Sequence, residues 1–114
     1  MLYPAELHIK EKPPLNIEVA KTFLQRFLGL MGRSEGDYGL LITPCDSIHM
    51  FFMKFPIDAI FLNKKGIITS IHSNVKPGRF ALGGKGAYSV IEIPASKCIG
   101  EKLVKGEQLI IHWK

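Results

Sequence analysis

One histidine and two carboxylates stand in apolar company, and they are the residues of this chain best placed to do chemistry. His49 lies within Ser47-Ile48-His49-Met50-Phe51-Phe52, Asp58 heads an apolar run after Pro56-Ile57, and Glu92 sits between Ile91 and Ile93. A buried imidazole needs a hydrogen-bond partner, and a carboxylate stays buried only when paired or hydrogen-bonded. Two readings follow. In the first, the three side chains converge in a polar pocket, with Arg26 as a cation. Such a pocket would bind a ligand, or use Asp58 or Glu92 as general base with His49, which requires about 3 Å between the partners. In the second, Asp58 ties down a turn, Glu92 points outward by alternation, and His49 is a satisfied core histidine.

Other residue patterns point to less. Cys45, His49 and Met53 are thiol, imidazole and thioether, a set suited to a soft metal. In an extended strand they share one face, but four residues of strand cover roughly 13 Å, so core packing is the better account of Met53 and no metal is expected. Gly83-Gly84-Lys85-Gly86 has the glycines of a phosphate loop without its spacing or its Ser/Thr after lysine. Lys76, Arg79 and Lys85 offer at most a weak anion site. With Phe80 and Tyr88 nearby they resemble a stacking surface for single-stranded nucleic acid, although nucleic acid is not the favoured partner. No serine has a nucleophile-elbow setting, neither cysteine has a neighbouring activating group, and no cofactor motif is present.

The net charge of +5 is unevenly distributed. Residues 1–57 carry six basic and six acidic side chains, and residues 58–114 carry nine and four. No acid falls between Asp58 and Glu92, where Lys64, Lys65, Lys76, Arg79 and Lys85 are found. The 64–85 segment therefore permits an anionic partner. No apolar run approaches the roughly 20 residues needed to span a bilayer, and the first residues lack a secretory pattern. A cytoplasmic protein is expected, with Cys45 and Cys98 as free thiols.

The elements that must hold these residues are mostly strands. Leu7 and Ile9, then Leu15, Ile17 and Val19, alternate with polar neighbours on either side of Pro13-Pro14. Thr22 and Gln25 form a capping-box start for one short helix over 22–31, with Phe23, Phe27 and Leu30 on one face. Strands are expected over 40–43, 47–52, 58–62, 67–72, 88–93 and 108–113. The clearest hairpin spans 58–72 around Asn63-Lys64-Lys65-Gly66. Residues 73–87 read as loop and 96–103 as a short helical turn. The 114 residues form a single domain, mainly β: a barrel or two-sheet sandwich of short strands closed by the one helix.

Several segments together resemble a known family. They are Arg26-Phe27-Leu28-Gly29-Leu30-Met31-Gly32-Arg33, Ile48-His49-Met50-Phe51-Phe52-Met53-Lys54-Phe55-Pro56-Ile57-Asp58, Val75-Lys76-Pro77, Val90-Ile91-Glu92-Ile93-Pro94-Ala95 and Lys105-Gly106-Glu107. This pattern is similar to the bacterial and archaeal domain of unknown function 192, over about residues 18–113. The resemblance implies a compact mainly-β domain and supplies no activity. Its signature falls on Arg26, Gly29, His49, Met53, Pro56, Asp58, Glu92 and Gly106; Ser96 and Glu107 depart from the usual glycine and aspartate. The expectation is thus a small-ligand or peptide-binding module whose pocket is lined by His49, Met53, Asp58, Glu92 and Arg26. An enzyme using an Asp/Glu–His pair and an anionic-partner binder working through 64–85 are the alternatives.

Overall fold

The fold is described from a computed structural model, for residues 2–22, 39–50 and 53–114. Among the described residues nine strands follow one another: β1 (Tyr3–His8), β2 (Leu15–Ala20), β3 (Gly39–Ile42), β4 (Ser47–His49), β5 (Ile57–Leu62), β6 (Ile68–Val75), β7 (Phe80–Leu82), β8 (Ser89–Pro94) and β9 (Ile110–Trp113). Two single 3-10 turns, Ala95–Lys97 and Gly100–Lys102, replace the helical turn expected over 96–103. The helix expected over 22–31 lies, apart from Thr22, outside the described residues, and so do Arg26 and Gly29.

Seven strands make one sheet in the order β6-β5-β8-β3-β2-β1-β9, and β4 and β7 make a separate two-stranded ribbon. Among the described strands β2 and β3 pair in parallel and the other pairs are antiparallel. The large sheet curls until its two ends meet at a single bridge, Ile67 to Gln108. There the Ile68 N–H donates to the Glu107 carbonyl at 2.8 Å and the Leu109 N–H to the Gly66 carbonyl at 2.9 Å. Beyond that bridge the edges separate, so the sheet stops short of a closed barrel. The architecture is a curled sheet with a ribbon laid on it.

Side-chain alternation along the strands assigns the apolar residues to two cores. Leu7, Val19, Leu41, Ile60, Leu62, Ile91 and Ile93 fill the concave side, together with Ile99 and Leu103 from around the second 3-10 turn. Leu40, Ile42, Ile57, Ala59, Phe61 and Val90 face the other way, against Ile48, Met50, Met53, Phe55 and Ala81. β5 and β8 have neighbours on both faces, and all six residues of each are buried.

The 58–72 hairpin turns where its chemistry predicts. The Asn63 side chain accepts from the N–H groups of Lys65 (2.8 Å) and Ile67 (3.0 Å), an Asx-type turn. Gly66 has φ +80°, which favours glycine. A Cβ there would also lie 2.6 Å from the Leu109 carbonyl oxygen, so the bridge that joins the sheet ends needs glycine at this position as well. β6 continues past His72 to Val75, and β7 occupies part of the stretch 73–87 that reads as loop. No helix among the described residues is long and apolar enough to cross a membrane.

Candidate functional site

Asp58 is buried, and both of its oxygens are occupied by backbone. Oδ1 accepts from the Asn74 N–H at 2.9 Å and Oδ2 from the Gly100 N–H at 2.8 Å. The β5–β6 register slips here, Ile57 facing Val75 while Ala59 faces His72, and Asn74 takes φ +53° in the resulting bulge. The carboxylate therefore holds a bulge and the start of a 3-10 turn against the same strand. Gly100 is fitted to it: a Cβ there would come within 2.8 Å of Ser73 Oγ and 3.0 Å of the Asp58 carboxylate. Asp58 ties down local structure, the second of the two readings open from the sequence.

Glu92 lies on the far side of the same sheet. In the β5–β8 register Asp58 faces Ile93, so Glu92, which faces Ala59, projects to the opposite face. Its other cross-strand neighbour is Leu40. It is buried, at 4% exposure, on the face covered by the ribbon, where Met53 also packs. The expectation that Glu92 points outward to solvent by alternation is corrected here. β8 is central and both its faces are covered, so alternation leads from one core to the other.

His49 occupies a third environment. It ends β4, paired with Phe80 of β7, while Ile48 pairs with Ala81 and Ser47 with Leu82. Ile48, Ala81 and Met50 are buried in the core beneath, so His49 projects from the outer face of the ribbon. It is half-buried there, beside two large apolar side chains, Phe80 at 66% and Leu82 at 68% exposure. The β5–β8 register sets Asp58 and Glu92 on opposite faces of the large sheet, and His49 lies on the separate ribbon. The Cys45, His49 and Met53 set is likewise split, since Met53 is buried in the core and the Cys45 thiol contacts the Ser47 carbonyl at 3.0 Å.

Lys64, Lys65, Lys76, Arg79 and Lys85 are all exposed. Lys76 and Arg79 flank the turn Lys76-Pro77-Gly78-Arg79, closed by Arg79 N–H to the Lys76 carbonyl (3.2 Å) with Gly78 at φ +85°. This turn delivers the chain into β7 next to Phe80 and His49. Lys85 stands apart, in the Gly83–Gly86 segment. A Cβ on Gly83 would lie 2.5 Å from Ala87 Cβ, 2.6 Å from Phe61 and 2.8 Å from the Asp46 carbonyl. Close packing explains that glycine without any phosphate. Sequence reasoning missed the surface role of Leu82, and it noted Phe80 only as a stacking aromatic. The pattern Phe80-Ala81-Leu82 puts the small residue inside and the large ones outside, inverting the usual signal.

Comparison with known proteins fits this geometry into a family. Residues 5–111 match domain of unknown function 192, described as uncharacterized ACR. The chain belongs to this family. Among its relatives, a UPF0127 protein of Thermococcus sibiricus is 38% identical over 84 residues, covering 68% of this chain and 54% of the relative. Another, from Pyrococcus furiosus, is 33% identical over 95 residues, covering 77% of this chain and 81% of the relative. The chain thus spans about half the length of the first relative and most of the second. A crystal structure of a protein of unknown function from Novosphingobium aromaticivorans superposes with a TM-score of 0.80 at 19% identity, over 96% of this chain and 84% of that one. A Sinorhizobium meliloti structure does so with 0.78 at 23%, over 96% and 93%. At these identities the domain of unknown function 192 chain shares their fold.

Proposed function

We propose that this domain is a small-ligand-binding module and that its recognition face is the outer side of the β4–β7 ribbon. The observation that carries the reading is the grouping of His49 with Phe80 and Leu82, both about two-thirds exposed, on a ribbon separate from the main sheet. Large apolar side chains gathered on an otherwise polar surface mark binding sites. His49 adds a hydrogen-bonding imidazole, and Lys76 and Arg79 lie at the end of the ribbon. The ligand this face fits has an apolar body and an acidic group.

Binding is favoured over catalysis by the positions of the acids. Asp58 spends both oxygens on backbone N–H groups, and Glu92 faces the underlying core. The two cysteines are free, which fits a reducing compartment, and we place the domain in the cytoplasm.

The test is a titration of isotope-labelled protein with a panel of small aromatic and aliphatic carboxylates, followed by amide shifts. Saturable shifts should centre on residues 47–50 and 76–82, and should weaken at least tenfold in His49→Ala and in Phe80→Ser. Saturable shifts centred elsewhere, or affinities unchanged in both variants, would overturn the reading.

A further inference from the structure

Where the curled sheet fails to close, it leaves an unused strand edge inside a basic cleft. Past the Ile67–Gln108 bridge, β9 and the Asn63–Gly66 turn diverge and enclose a cleft of about 410 Å³. Leu109, Ile111 and Trp113 form one wall, Asn63, Lys64 and Lys65 the other, and Leu41 and Leu62 lie in the floor. A second groove of about 550 Å³ adjoins it through Lys64, Lys65 and Tyr88.

The hydrogen-bonding direction of β9 follows from its ends. The Lys114 N–H donates to the Pro4 carbonyl of β1 at 3.3 Å, and the Leu109 N–H donates away from β1, to Gly66. Backbone groups alternate sides along a strand. Ile111 and Trp113 therefore direct their N–H and C=O groups away from β1 and into the cleft. Among the described residues no backbone group meets them there. β9 presents roughly 13 Å of edge at about 3.3 Å per residue.

The walls are charged on one side only. Among the described residues, Lys64 and Lys65 are the ionisable side chains of both grooves apart from the Tyr88 phenol, and no carboxylate lines either. Lys64 Nζ stands 5.2 Å from the Tyr88 ring centre, and at the far end of β9 Lys21 Nζ stands 4.4 Å from that of Trp113. Lysines thus mark both ends of the open edge, beside exposed aromatic faces.

We infer that this cleft is a docking site for an extended, acidic polypeptide segment, which adds a strand to the free edge of β9. Main-chain bonds to Ile111 and Trp113 supply affinity, as in other strand-addition complexes. Carboxylates of the segment meet Lys64, Lys65 and Lys21, and its apolar side chains meet Tyr88 and Trp113. The site is separate from the ribbon face that carries His49.

The experiment uses an end-capped eight-residue peptide of alternating glutamate and valine, with a lysine–valine peptide and an eight-nucleotide oligo-dT as comparisons. Amide hydrogen exchange and Trp113 fluorescence are followed. The glutamate peptide should slow exchange at Ile111 and Trp113 at least tenfold and shift the Trp113 emission. The pair Lys64→Glu and Lys65→Glu should weaken it at least tenfold, while His49→Ala should leave it unchanged. Equal binding of the lysine peptide, or absence of protection at Ile111 and Trp113, overturns the inference. So does tighter binding of oligo-dT without edge protection, or protection that rises with protein concentration alone and signals pairing of two copies.

Discussion

Replacing Asp58 by asparagine keeps the shape of the side chain and removes its charge and one of its acceptors. The carboxylate now receives N–H groups from both Asn74 (2.9 Å) and Gly100 (2.8 Å) while 3% exposed. An asparagine can turn its oxygen to only one of them. The Gly100 bond is the more buried, so the oxygen should stay there and the amide NH2 should confront the Asn74 N–H, donor against donor. Hydrogen bonds to a charged group contribute about 1.5–3 kcal/mol each, and a buried unsatisfied donor costs about 1–3 kcal/mol. One bond lost, one weakened and a donor clash relieved by local shift give a destabilisation of roughly 2–4 kcal/mol. That is a large part of the 5–15 kcal/mol typical of a single domain, and it corresponds to a fall in melting midpoint on the order of 10 °C. Urea unfolding of parent and variant measures it directly, with an unchanged m-value showing that the unfolded reference is the same. A variant within about 0.5 kcal/mol of the parent, the range of neutral surface changes, would refute the assignment of Asp58 to structure.

Gly83→Ala should destabilise by at least the roughly 1–3 kcal/mol of an overpacked core site, because its Cβ would sit 2.5–2.8 Å from Ala87, Phe61 and the Asp46 carbonyl; thermal unfolding reads this. Phe61→Ala should cost about 3–5 kcal/mol, since Phe61 is fully buried near the end of β5 in the core shared with the ribbon, and denaturant titration measures the loss. Thiol labelling without reductant should count two reactive cysteines in denaturant. In the native state exposed Cys98 should react ahead of half-buried Cys45, and fewer than two labels after unfolding would contradict the free-thiol assignment.

The strands that alternate cleanly were legible from the residues, and so was the 58–72 hairpin, whose Asn63-Lys64-Lys65-Gly66 turn encodes itself through an Asx bond and a positive-φ glycine. β7 was not legible. Its three residues put alanine inside and Phe80 and Leu82 outside, so hydrophobic periodicity points the wrong way. The oddity of Asp58 and Glu92 was visible, but its meaning depended on register. A pairing of Asp58 with Ile93 rather than with Glu92 puts the two acids on opposite faces, and a slip of one residue would have reversed that. The burial of Glu92 followed from the central place of β8 between β5 and β3, a tertiary feature with no local trace in β8. The family resemblance marked His49, Asp58 and Glu92 alike, without separating the residue that anchors a bulge from the one that faces outward.

The measurement that bears most directly on the proposed function is a high-resolution crystal structure of protein purified without refolding, inspected for co-purified density. The account predicts a bound molecule against His49, Phe80 and Leu82, with its acidic group toward Lys76 or Arg79, and Asp58 still bonded to the Asn74 and Gly100 amides. A molecule enclosed against Asp58 or Glu92, with the outer face of the ribbon bare, would contradict it.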